Sequence, residues 1–583
     1  MHPAAARRPA LLKLLPLAAA WALGLGAPAG CTTDEVIGDP AATADMAGPA
    51  PDLLKDTRLD PDEILLKVAQ RCPGDPGCPD SGDNVLYAGV AKRDITPEVE
   101  PFTDTNKNNV WDPGEPYTDK NGNGQFDAYW MAGFGQNRLA FGVHDPTWAR
   151  ALALRYNQTT VVLVAVDALG LFRDESVAIE KLLDKKLGID LLLVHATHLH
   201  ETADVVGGWG PDVATNGINP YYQQRVRKLV AEAVTEAVQA VKPARLTLGS
   251  INVADGPSGD MTHYVGDARD PVVIDNRLHT LQLSDISDPM ATKPIATVIN
   301  WAHHPESVGD KNHDITSDFV YYLRGEIEKA GGGTALYISG ALGGQIGPGG
   351  VVPLDDKGLE VRGAGFAKAE AIGKSVARFA LQAMADPKAT TVAGKDAKVA
   401  FRSTVFPVRV DNAVYHLAFM LGIYKREMCC YDTKRPISED NVPATNTAAA
   451  YLQLGPASII TNPGELLPEL FVGGYGGEYA GTYTFIDRTQ KNPPDVSKAP
   501  KPPYLVDIMD GPRQHRMTFG LTMDFLGYIV PRYNFVLSDK SPYFDEAEGD
   551  HYEETNSIGP YAEPQIVGSL RQLVLDGRPN VAR

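Results

Sequence analysis

The feature that most constrains the fold is a repeated alternation between uninterrupted apolar segments and segments with helical periodicity. Residues 159–167 read TTVVLVAVD, a β-branched apolar run typical of a strand buried on both faces. Further strands are predicted at residues 191–196, 245–249, 294–301 and 334–339, and helices at residues 174–187, 221–241, 317–330 and 367–385. A Ser–Asp pair is expected to cap the helix at residue 317, and after about residue 395 the pattern loosens into strands and loops. This alternation predicts an α/β fold, with a mixed sheet and helices on its faces.

The first 31 residues have the layout of a bacterial export signal. Two arginines and a lysine precede the apolar residues 14–27, and a short run of small residues ends at Cys31. The apolar run is too short and too interrupted by proline to span a membrane, so residues 1–30 are predicted to be a signal peptide. We expect Cys31 to be lipidated, with secretion or release into the periplasm, or a buried N-terminal helix, as alternatives. Thr32 stands where Asp would signal retention in the inner membrane, which favours an anchor in the outer membrane.

Composition separates a tether from a folded body. Residues 31–84 are rich in Asp, Ala, Pro and Thr around one short helical patch at residues 61–70, as expected of a lipid-anchored tether. Residues 85–583 form the predicted body, in which no segment reaches about 18 consecutive apolar residues. The net charge of −19 arises from 73 acidic and 54 basic side chains. It disfavours binding to nucleic acid, because phosphate groups are also negative.

Four cysteines remain when Cys31 is set aside. Cys72 and Cys78 flank the turn-forming residues PGDPG and are predicted to form a disulfide in an oxidising compartment. Cys429 and Cys430 are adjacent, so they could form a strained vicinal disulfide or stay reduced. Neither pair has the spacing of a structural zinc site, and both are interpreted as structural.

A duplicated loop within residues 103–127 carries the most specific metal signal. Its acidic and amide side chains recur at alternate positions, as in loops whose oxygen atoms converge on one Ca²⁺ ion. The first loop offers Asp104, Asn106, Asn108, Asp112 and Glu115, and the second offers Asp119, Asn121, Asn123 and Asp127. Trp130 stands where a final acid of the second loop would be. We predict a structural calcium hairpin, with an ion-free hairpin rich in Asn, Asp and Gly as the alternative.

Histidines cluster where two of the predicted strands end. His198 and His200 follow the strand at residues 191–196, and His304 follows the strand at residues 294–301. Side chains just beyond the carboxyl ends of strands line the ligand crevice of α/β proteins. Two imidazoles at alternate positions point the same way, which suits two groups near one zinc ion. The sequence therefore predicts a metal site at the carboxyl ends of these strands.

The order of these and other short motifs resembles the neutral/alkaline (non-lysosomal) ceramidases, zinc amidases that cleave the amide of N-acylsphingosine. The resemblance extends from about residue 85 to residue 570 and rests on residues 87–97, 131–135, 142–151, 196–200, 300–305, 462–466 and 520–531. Residues 196–200 read ATHLH, similar to the family's ATHTH. Residues 87–97 read YAGVAKRDITP, similar to the family's opening G-x-x-x-x-D-I-T. Each motif is short, but their shared order is hard to obtain by chance.

The resemblance implies a catalytic zinc ion bound by His198, His304, Glu465 and Tyr528, with His200 as a proton shuttle and Tyr528 assisting the reaction. It also implies that the chain is a zinc-dependent hydrolase of linear amides. The expected substrates are N-acyl lipids such as ceramide, and the expected membrane contact is through the N-terminal lipid anchor. The C-terminal immunoglobulin-like domain of bacterial ceramidases is not expected in this chain.

The sequence also departs from the family. Gly347 stands where ceramidases have a serine that is important for activity, and residues 252–260 contain no counterpart of a family arginine. These departures leave ceramide open as the substrate. The alternative is a non-catalytic surface lipoprotein that binds lipid or glycan through a degenerate site. A His-x-His-x-x-x-Asp pattern at residues 198–204 is only faintly similar to metallo-β-lactamases, because the Asp-His that should follow is absent.

Overall fold

The secondary structure is that of a computed structural model, which describes residues 66–253, 263–288, 290, 292–346, 351–475 and 486–576. The strands in these ranges are β1 (Gln70–Cys72), β2 (Leu86–Asp94), β3 (Gly142–Val143), β4 (Trp148–Tyr156), β5 (Thr159–Val166), β6 (Leu191–Ala196), β7 (Lys242–Asn252), β8 (Arg277–Asp285), β9 (Lys293–Trp301), β10 (Asp314–Ile315), β11 (Thr334–Ser339), β12 (Thr390–Val392), β13 (Val399–Arg409), β14 (Ala444–Leu454), β15 (Ala457–Thr461), β16 (Glu465–Leu466), β17 (Arg516–Phe519) and β18 (Tyr528–Ile529). The helices are α1 (Arg173–Glu180), α2 (Pro220–Gln239), α3 (Asp318–Lys329), α4 (Phe366–Ala385), α5 (Ala413–Met420), α6 (Pro468–Val472), α7 (Leu505–Ile508) and α8 (Ala562–Leu575).

Two mixed sheets form the centre of the fold. The larger sheet has the strand order β11–β9–β8–β7–β2–β4–β5–β6, with β12 beside β7. β5 and β6 are parallel, as are β9 and β11, and the neighbouring strands between these pairs are antiparallel. The smaller sheet has the order β1–β13–β14–β15–β17. The two sheets share one apolar core, which includes Leu163, Leu193, Leu248, Phe401 and Ile459.

Helices cover the outer faces of both sheets. Successive side chains of a strand point to opposite faces, so Leu163 in β5 enters the core between the sheets while Val162 and Val164 enter the core beneath the helices. α1 and α2 cover the β5 half of the larger sheet, α3 and α4 cover the β9 half, and α6, α7 and α8 cover the smaller sheet. The predicted α/β class is therefore confirmed. A second sheet, rather than more helices, covers the inner face of the larger one.

The two edge strands of the larger sheet, β6 and β11, are brought together by residues 520–523. The backbone of this segment donates hydrogen bonds to Ser339 O at the end of β11 and to Val194 O in β6, at 2.9 and 2.7 Å. His195 in β6 completes the contact, because its Nδ1 lies 2.8 Å from Gly520 O and its Nε2 accepts the Ser339 N–H at 3.3 Å. Strands that are far apart in the sheet order therefore end close to each other.

The folded body begins before the predicted boundary at residue 85. β1 pairs with β13, and Cys72 and Cys78 form a disulfide that is buried in the core between the sheets. The Leu66 backbone N–H donates to the side chain of Gln572 in α8. Residues 66–84 are thus part of the body and residues 66–70 are not helical, because this segment pairs with the smaller sheet. The signal peptide, Cys31 and the rest of the predicted tether lie outside the described residues.

Two helix predictions are corrected by the structure. The helix predicted at residues 174–187 ends at Glu180, and a separate 3-10 turn follows at residues 185–187. At the start of α3, Ser317 makes no capping hydrogen bond with its side chain. Its hydroxyl donates instead to the Asp167 carboxylate at 3.0 Å, so a tertiary partner has replaced the local one.

The second half of the chain is more regular than its sequence pattern predicted. β13 and β14 are each eleven residues long and pair along their whole length. β7 is also longer than the strand predicted at residues 245–249, because it pairs with β2, β8 and β12. Within the described ranges, none of the helices has the length and apolar character needed to cross a bilayer.

Candidate metal centre

The loop after β6 turns two histidines toward one point. His198 has a φ of +65°, in the left-handed region, which directs its side chain away from the line of the strand. Its Nδ1 donates to Leu169 O at 2.8 Å, which leaves the Nε2 lone pair available as a ligand. His200 Nε2 lies 3.4 Å from His198 Nε2.

His304 follows β9 and is oriented by the loop after β11. Its Nδ1 lies 3.1 Å from Gln345 O, and a proton on Nδ1 satisfies that contact. The Gln345 side chain is itself held, since it donates to Ala302 O and accepts the Asp275 backbone N–H. The His304 ring is therefore fixed with Nε2 toward His198 and His200.

Glu465 and Tyr528 come from two short strands, β16 and β18, that pair in parallel. Their register places Glu465 opposite Tyr528. Glu465 Oε2 lies 3.3 Å from His198 Nε2 and 3.1 Å from His304 Nε2. The Tyr528 hydroxyl lies 3.4 Å from His304 Nε2. The structure thus brings together all four residues that the family resemblance implied as zinc ligands.

These separations fit one metal ion. Two ligands that are each about 2.0–2.1 Å from zinc, at a tetrahedral angle, stand roughly 3.3–3.4 Å apart. The separations above fall between 3.1 and 3.4 Å. Ligand atoms of His198, His200 and His304 also lie within 4.8 Å of one another. The histidine group can therefore hold a metal ion, and an added carboxylate and phenol make a donor set that zinc accepts.

Burial and mutual charge govern the titration of these groups. Burial raises the pKa of Tyr528 well above its usual value, and the Glu465 charge acts in the same direction. Burial alone would raise the pKa of Glu465, but His198 and His304 lower it to about 2. Burial opposes protonation of His198, yet the Glu465 carboxylate outweighs it and raises the His198 pKa. Glu465 is consequently an anion within the site.

His200 is confined by packing on two sides. The Phe134 ring stands edge-on to its imidazole, with 5.0 Å between the ring centroids. A Cβ atom at Gly133, whose φ is +101°, would lie 2.5 Å from His200 Cγ, so a larger residue at 133 would displace the ring. Burial, followed by the charges of His198 and His304, lowers the pKa of His200 well below its usual value. His200 is therefore a neutral imidazole held in one orientation.

Two residues at the site were missed by the sequence analysis. Gln345 orients His304, as described above, and Glu306 Oε2 lies 3.3 Å from His200 Nδ1. Glu306 stands two positions after His304, the same spacing that separates His198 from His200. That repeated spacing was the available signal for Glu306, whereas Gln345 lies in a Gly-rich loop that gives none.

The remaining histidines at the two strand ends are structural. His195 connects β6 to residues 520–523 and to β11, as described for the fold. His303 is fully buried beside the rings of Trp301 and Phe319, and burial lowers its pKa to about 3. Neighbouring histidines in the sequence therefore have different roles, which depend on the direction each side chain takes.

The duplicated loops of residues 103–127 have matching hydrogen-bond patterns. The first carboxylates, Asp104 and Asp119, each accept the backbone N–H groups of loop positions four and six at 2.6–2.9 Å. The amide side chains donate to the carboxylates at position nine: Asn106 and Asn108 to Asp112, and Asn121 and Asn123 to Asp127. The predicted calcium ligands of each loop therefore lie close together.

A carboxylate from outside the second loop completes that pattern. In the first loop Glu115, at position twelve, accepts the backbone N–H groups of positions two and nine at 2.7 and 3.0 Å. In the second loop Glu100 accepts the N–H groups of the same two positions, both at 2.9 Å. Glu100 thus takes the place of the acid that Trp130 replaces. The repeating loop pattern could not predict this role, because Glu100 lies 20 residues or more before the second loop positions that it contacts.

The remaining predictions concern the adjacent cysteines and the positions of the family serine and arginine. Cys429 and Cys430 are not bonded to each other. Gly347 and residues 254–260 lie outside the described residues, so the positions of the family serine and arginine have no structural description.

Comparisons with known proteins bear on the fold alone. No family model matches the sequence, and no curated protein matches it. A neutral ceramidase from Pseudomonas aeruginosa has a similar structure, with a TM-score of 0.55 and 15% identity over 84% of this chain and 74% of that one. A ceramidase complexed with C2 matches with a TM-score of 0.54 and 14% identity, over 84% of this chain and 75% of that one. Identities this low leave the function to be argued from the site, and the chain has a ceramidase-like fold.

Proposed function

We propose that this chain is a zinc-dependent hydrolase of linear amides, with N-acyl lipids of the ceramide type as its substrates. The observation that carries the proposal is the convergence of His198, His304, Glu465 and Tyr528 at the spacing of ligands to one ion. The similarity in fold to a neutral ceramidase supports it. Imidazole, carboxylate and phenol donors also resemble the nitrogen and oxygen ligands of catalytic zinc sites more than the cysteine-rich sets of closed structural sites.

The residues of the site have separate roles in the proposed reaction. Bound zinc supplies a Lewis acid for the amide carbonyl and lowers the pKa of a water molecule to about 7. His200, kept neutral by burial, takes a proton on Nε2 from the attacking water and returns it to the leaving amine. The Tyr528 hydroxyl, 3.4 Å from His304 Nε2, lies beside the same point and would adjust the negative charge that develops on the carbonyl oxygen.

Metal analysis of the purified protein and its variants tests the site. We expect His198→Ala and His304→Ala to lose the metal ion, because each removes one ligand from a small set. His200→Ala should retain the metal while turnover falls by about 10²–10⁴-fold, the usual effect of removing a general acid–base group. Stoichiometric zinc and full hydrolysis in both His198→Ala and His304→Ala would refute the assignment. Equal metal loss in His200→Ala would make His200 a ligand instead of a shuttle.

A substrate panel tests the reaction class. Ceramide, other N-acyl lipids and short N-acyl amides are incubated with the zinc-loaded protein, and free fatty acid is measured. Hydrolysis of the lipid amides above the rate of short amides would support the proposal. Bound zinc with no turnover of any amide would favour the alternative of a non-catalytic binding protein.

A further inference from the structure

Helix α5 is apolar on all sides, yet the body does not bury it. Residues 413–424 read AVYHLAFMLGIY and contain no Asp, Glu, Lys or Arg, in a chain with 73 acidic and 54 basic side chains. A helix that is apolar all round is normally buried. None of the eight residues of α5 is fully buried, whereas α2, α3, α4 and α8 each bury several. The body thus leaves an apolar helix at its surface.

Two large apolar side chains are exposed where α5 ends. Met420 is 68% exposed and Leu421 is 56% exposed. They are the one consecutive pair among the exposed large apolar side chains of the described ranges. The chain turns directly after them, because Gly422 has a φ of +70° and the Ile423 N–H donates to Ala418 O at 2.9 Å. Single exposed apolar side chains are ordinary, whereas adjoining ones on an apolar element indicate an interaction surface.

Contacts with the body hold α5 in place. The Asn412 side chain caps its first turn and also donates to Ser557 O at 2.8 Å. Tyr415 and Phe419 stand edge-on to the Tyr424 ring, with 5.5 and 5.7 Å between the ring centroids. The helix is therefore a fixed part of the surface, and its exposed residues have a defined position.

α5 adjoins the metal centre through a narrow aromatic cleft. The cleft is lined by Tyr415, Phe419 and Tyr424 together with Phe172, Phe525 and Leu526. The Phe525 ring lies 6.1 Å from the ring of His198, one of the proposed ligands. The volume of the cleft is about 30 Å³, the share of one water molecule in the liquid. It is too small for an acyl chain, so the exposed surface of α5 is the candidate for binding.

We propose that residues 413–424 form a docking surface for an uncharged phospholipid bilayer, with Met420 and Leu421 entering its hydrocarbon layer. Eight helical residues are too few to span a bilayer, so α5 would lie in its interface. The proposal deepens and rests on the proposed function, since it would bring the metal centre to amides that are held in a membrane. Docking itself requires neither the metal ion nor turnover.

Charge and size select the bilayer as the occupant. The chain has a net charge of −19, which anionic lipids repel, whereas residues 413–424 carry no Asp, Glu, Lys or Arg that such lipids could attract or repel. A second copy of the chain is the competing occupant. A standard protein interface buries roughly 800 Å² per partner, much more than a two-turn helix and the turn after it offer.

Vesicle binding tests the surface in a chain that begins at residue 32. This chain keeps every described residue and lacks the proposed lipid anchor. It should float with phosphatidylcholine vesicles, with or without zinc. Met420→Ser with Leu421→Ser should lower the partition coefficient by about 10–100-fold, because two large apolar side chains no longer enter hydrocarbon.

Leu182→Ser with Leu359→Ser is the matched control, because these leucines are 56% and 62% exposed elsewhere on the body. The control should bind as wild type does. Absence of wild-type binding, or an equal loss in the two double variants, would overturn the proposal.

A tryptophan probe tests whether the end of α5 enters the hydrocarbon. Leu421→Trp should add fluorescence that lipids brominated on their acyl chains quench beyond the level seen with wild type. Leu182→Trp, at an equally exposed leucine, should add fluorescence that these lipids leave unquenched. Similar quenching of the two added tryptophans would mean that α5 is not the inserted element.

Lipid charge and self-association test the choice of occupant. Binding to phosphatidylcholine should persist in high salt and should weaken when phosphatidylglycerol replaces part of it at low salt. Stronger binding to the anionic vesicles, abolished by salt, would overturn docking through apolar insertion. Sedimentation should give the same mass for wild type and for Met420→Ser with Leu421→Ser. A wild-type dimer that this variant dissociates would make α5 an interface between two copies and refute the proposal.

Kinetics separate this proposal from the proposed function. In zinc-loaded protein, Met420→Ser with Leu421→Ser should lower the ratio of ceramide hydrolysis in vesicles to short-amide hydrolysis by about tenfold or more. Wild type that binds vesicles through α5 and hydrolyses no amide would refute the proposed function and leave the docking surface standing. Active wild type whose vesicle binding and hydrolysis ratio are unchanged in the variant would refute the docking surface alone.

Discussion

Arg269 shows how a single buried side chain connects distant parts of this molecule. Its guanidinium is 2.9 Å from Glu553 and 2.7 Å from Glu554, and all three side chains are at most 2% exposed. The preceding residue, Ala268, donates its backbone N–H to Gly344 O at 2.8 Å, in the loop that orients His304. The cluster therefore links the C-terminal segment to a loop of the metal centre.

Removal of this guanidinium should be costly. Arg269→Met would leave Glu553 and Glu554 buried without their cation, and we expect the free energy of unfolding to fall by about 3–5 kcal/mol. Arg362→Met is the control, because Arg362 pairs with Glu360 at the surface and should change stability by less than about 1 kcal/mol. Urea denaturation of both variants measures the difference. Equal effects would mean that the buried cluster contributes no more than a surface pair.

Glu469 lies near this cluster and should make stability depend on pH. Burial raises its pKa from 4.5 to about 7, although the Arg269 charge acts in the opposite direction. Between these values the folded protein holds a proton that the unfolded chain has released. The contribution is thus fully present below about pH 4.5 and is lost as the pH rises through about 7.

Glu469→Gln removes this titration. We expect the stability of the variant, relative to wild type, to rise between pH 4.5 and pH 7 by at most about 3 kcal/mol. Urea denaturation of both proteins across this range provides the test. Parallel pH profiles for the two proteins would show that Glu469 has the same pKa in the folded and unfolded states.

At the scale of elements, the hairpin of residues 103–127 is a small unit built from a duplicated motif. Its rings pack together, with Trp111 stacked on Phe126 at 4.9 Å and Phe102 edge-on to Phe126 at 5.5 Å. Glu115 in the first loop and Glu100 beside the second accept hydrogen bonds from the same two loop positions, although Glu100 lies outside the second loop in the sequence. We propose that each loop binds one Ca²⁺ ion in a structural role.

Calcium binding should follow the paired carboxylates. We expect Asp104→Ala with Asp119→Ala to abolish a rise in the melting temperature on addition of Ca²⁺. Glu100→Gln should weaken only the second loop, so that titration with Tb³⁺, excited through Trp111, shows one strong and one weakened site. Wild-type protein whose melting temperature is the same in Ca²⁺ and in chelator would show that the hairpin binds no ion.

In the whole molecule, the described chain is part of the folded body from its first residue, Leu66. The Leu66 backbone donates to the side chain of Gln572 in α8, and β1 joins the smaller sheet. We propose that residues 31–65 form the tether and that Cys31 carries a lipid anchor in the outer membrane. A negatively charged body at a membrane would then act on substrates held in the bilayer.

Cys31→Ser tests the anchor. The variant should leave the membrane fraction, or its precursor should accumulate unprocessed, because lipid attachment requires the thiol. Cys430→Ser is the control, since it leaves the proposed lipidation site unchanged. Unchanged membrane fractionation of Cys31→Ser in high salt would rule out a lipid anchor at this position.

Most of the elements that carry the site were predictable from short-range sequence patterns. β6 and β11 coincide with the predicted strands at residues 191–196 and 334–339, and α4 differs by one residue from the predicted helix at 367–385. These predictions succeed because burial on both faces of a strand, or on one side of a helix, leaves a short-range pattern of apolar residues. The family resemblance likewise implied four metal ligands whose side chains lie close together in the structure: His198, His304, Glu465 and Tyr528.

The side chains that complete the site and the loops depend on contacts between distant segments. Glu306 faces His200, Glu100 completes the second calcium loop, and Ser317 bonds Asp167 instead of capping its helix. Residues 520–523 join β6 to β11, which makes two strand ends converge. Each of these contacts joins segments that are distant in sequence. The partners of these side chains depend on how the whole core packs. The hydrophobic effect that drives this packing is non-directional, so it leaves no periodic pattern in the sequence around these residues.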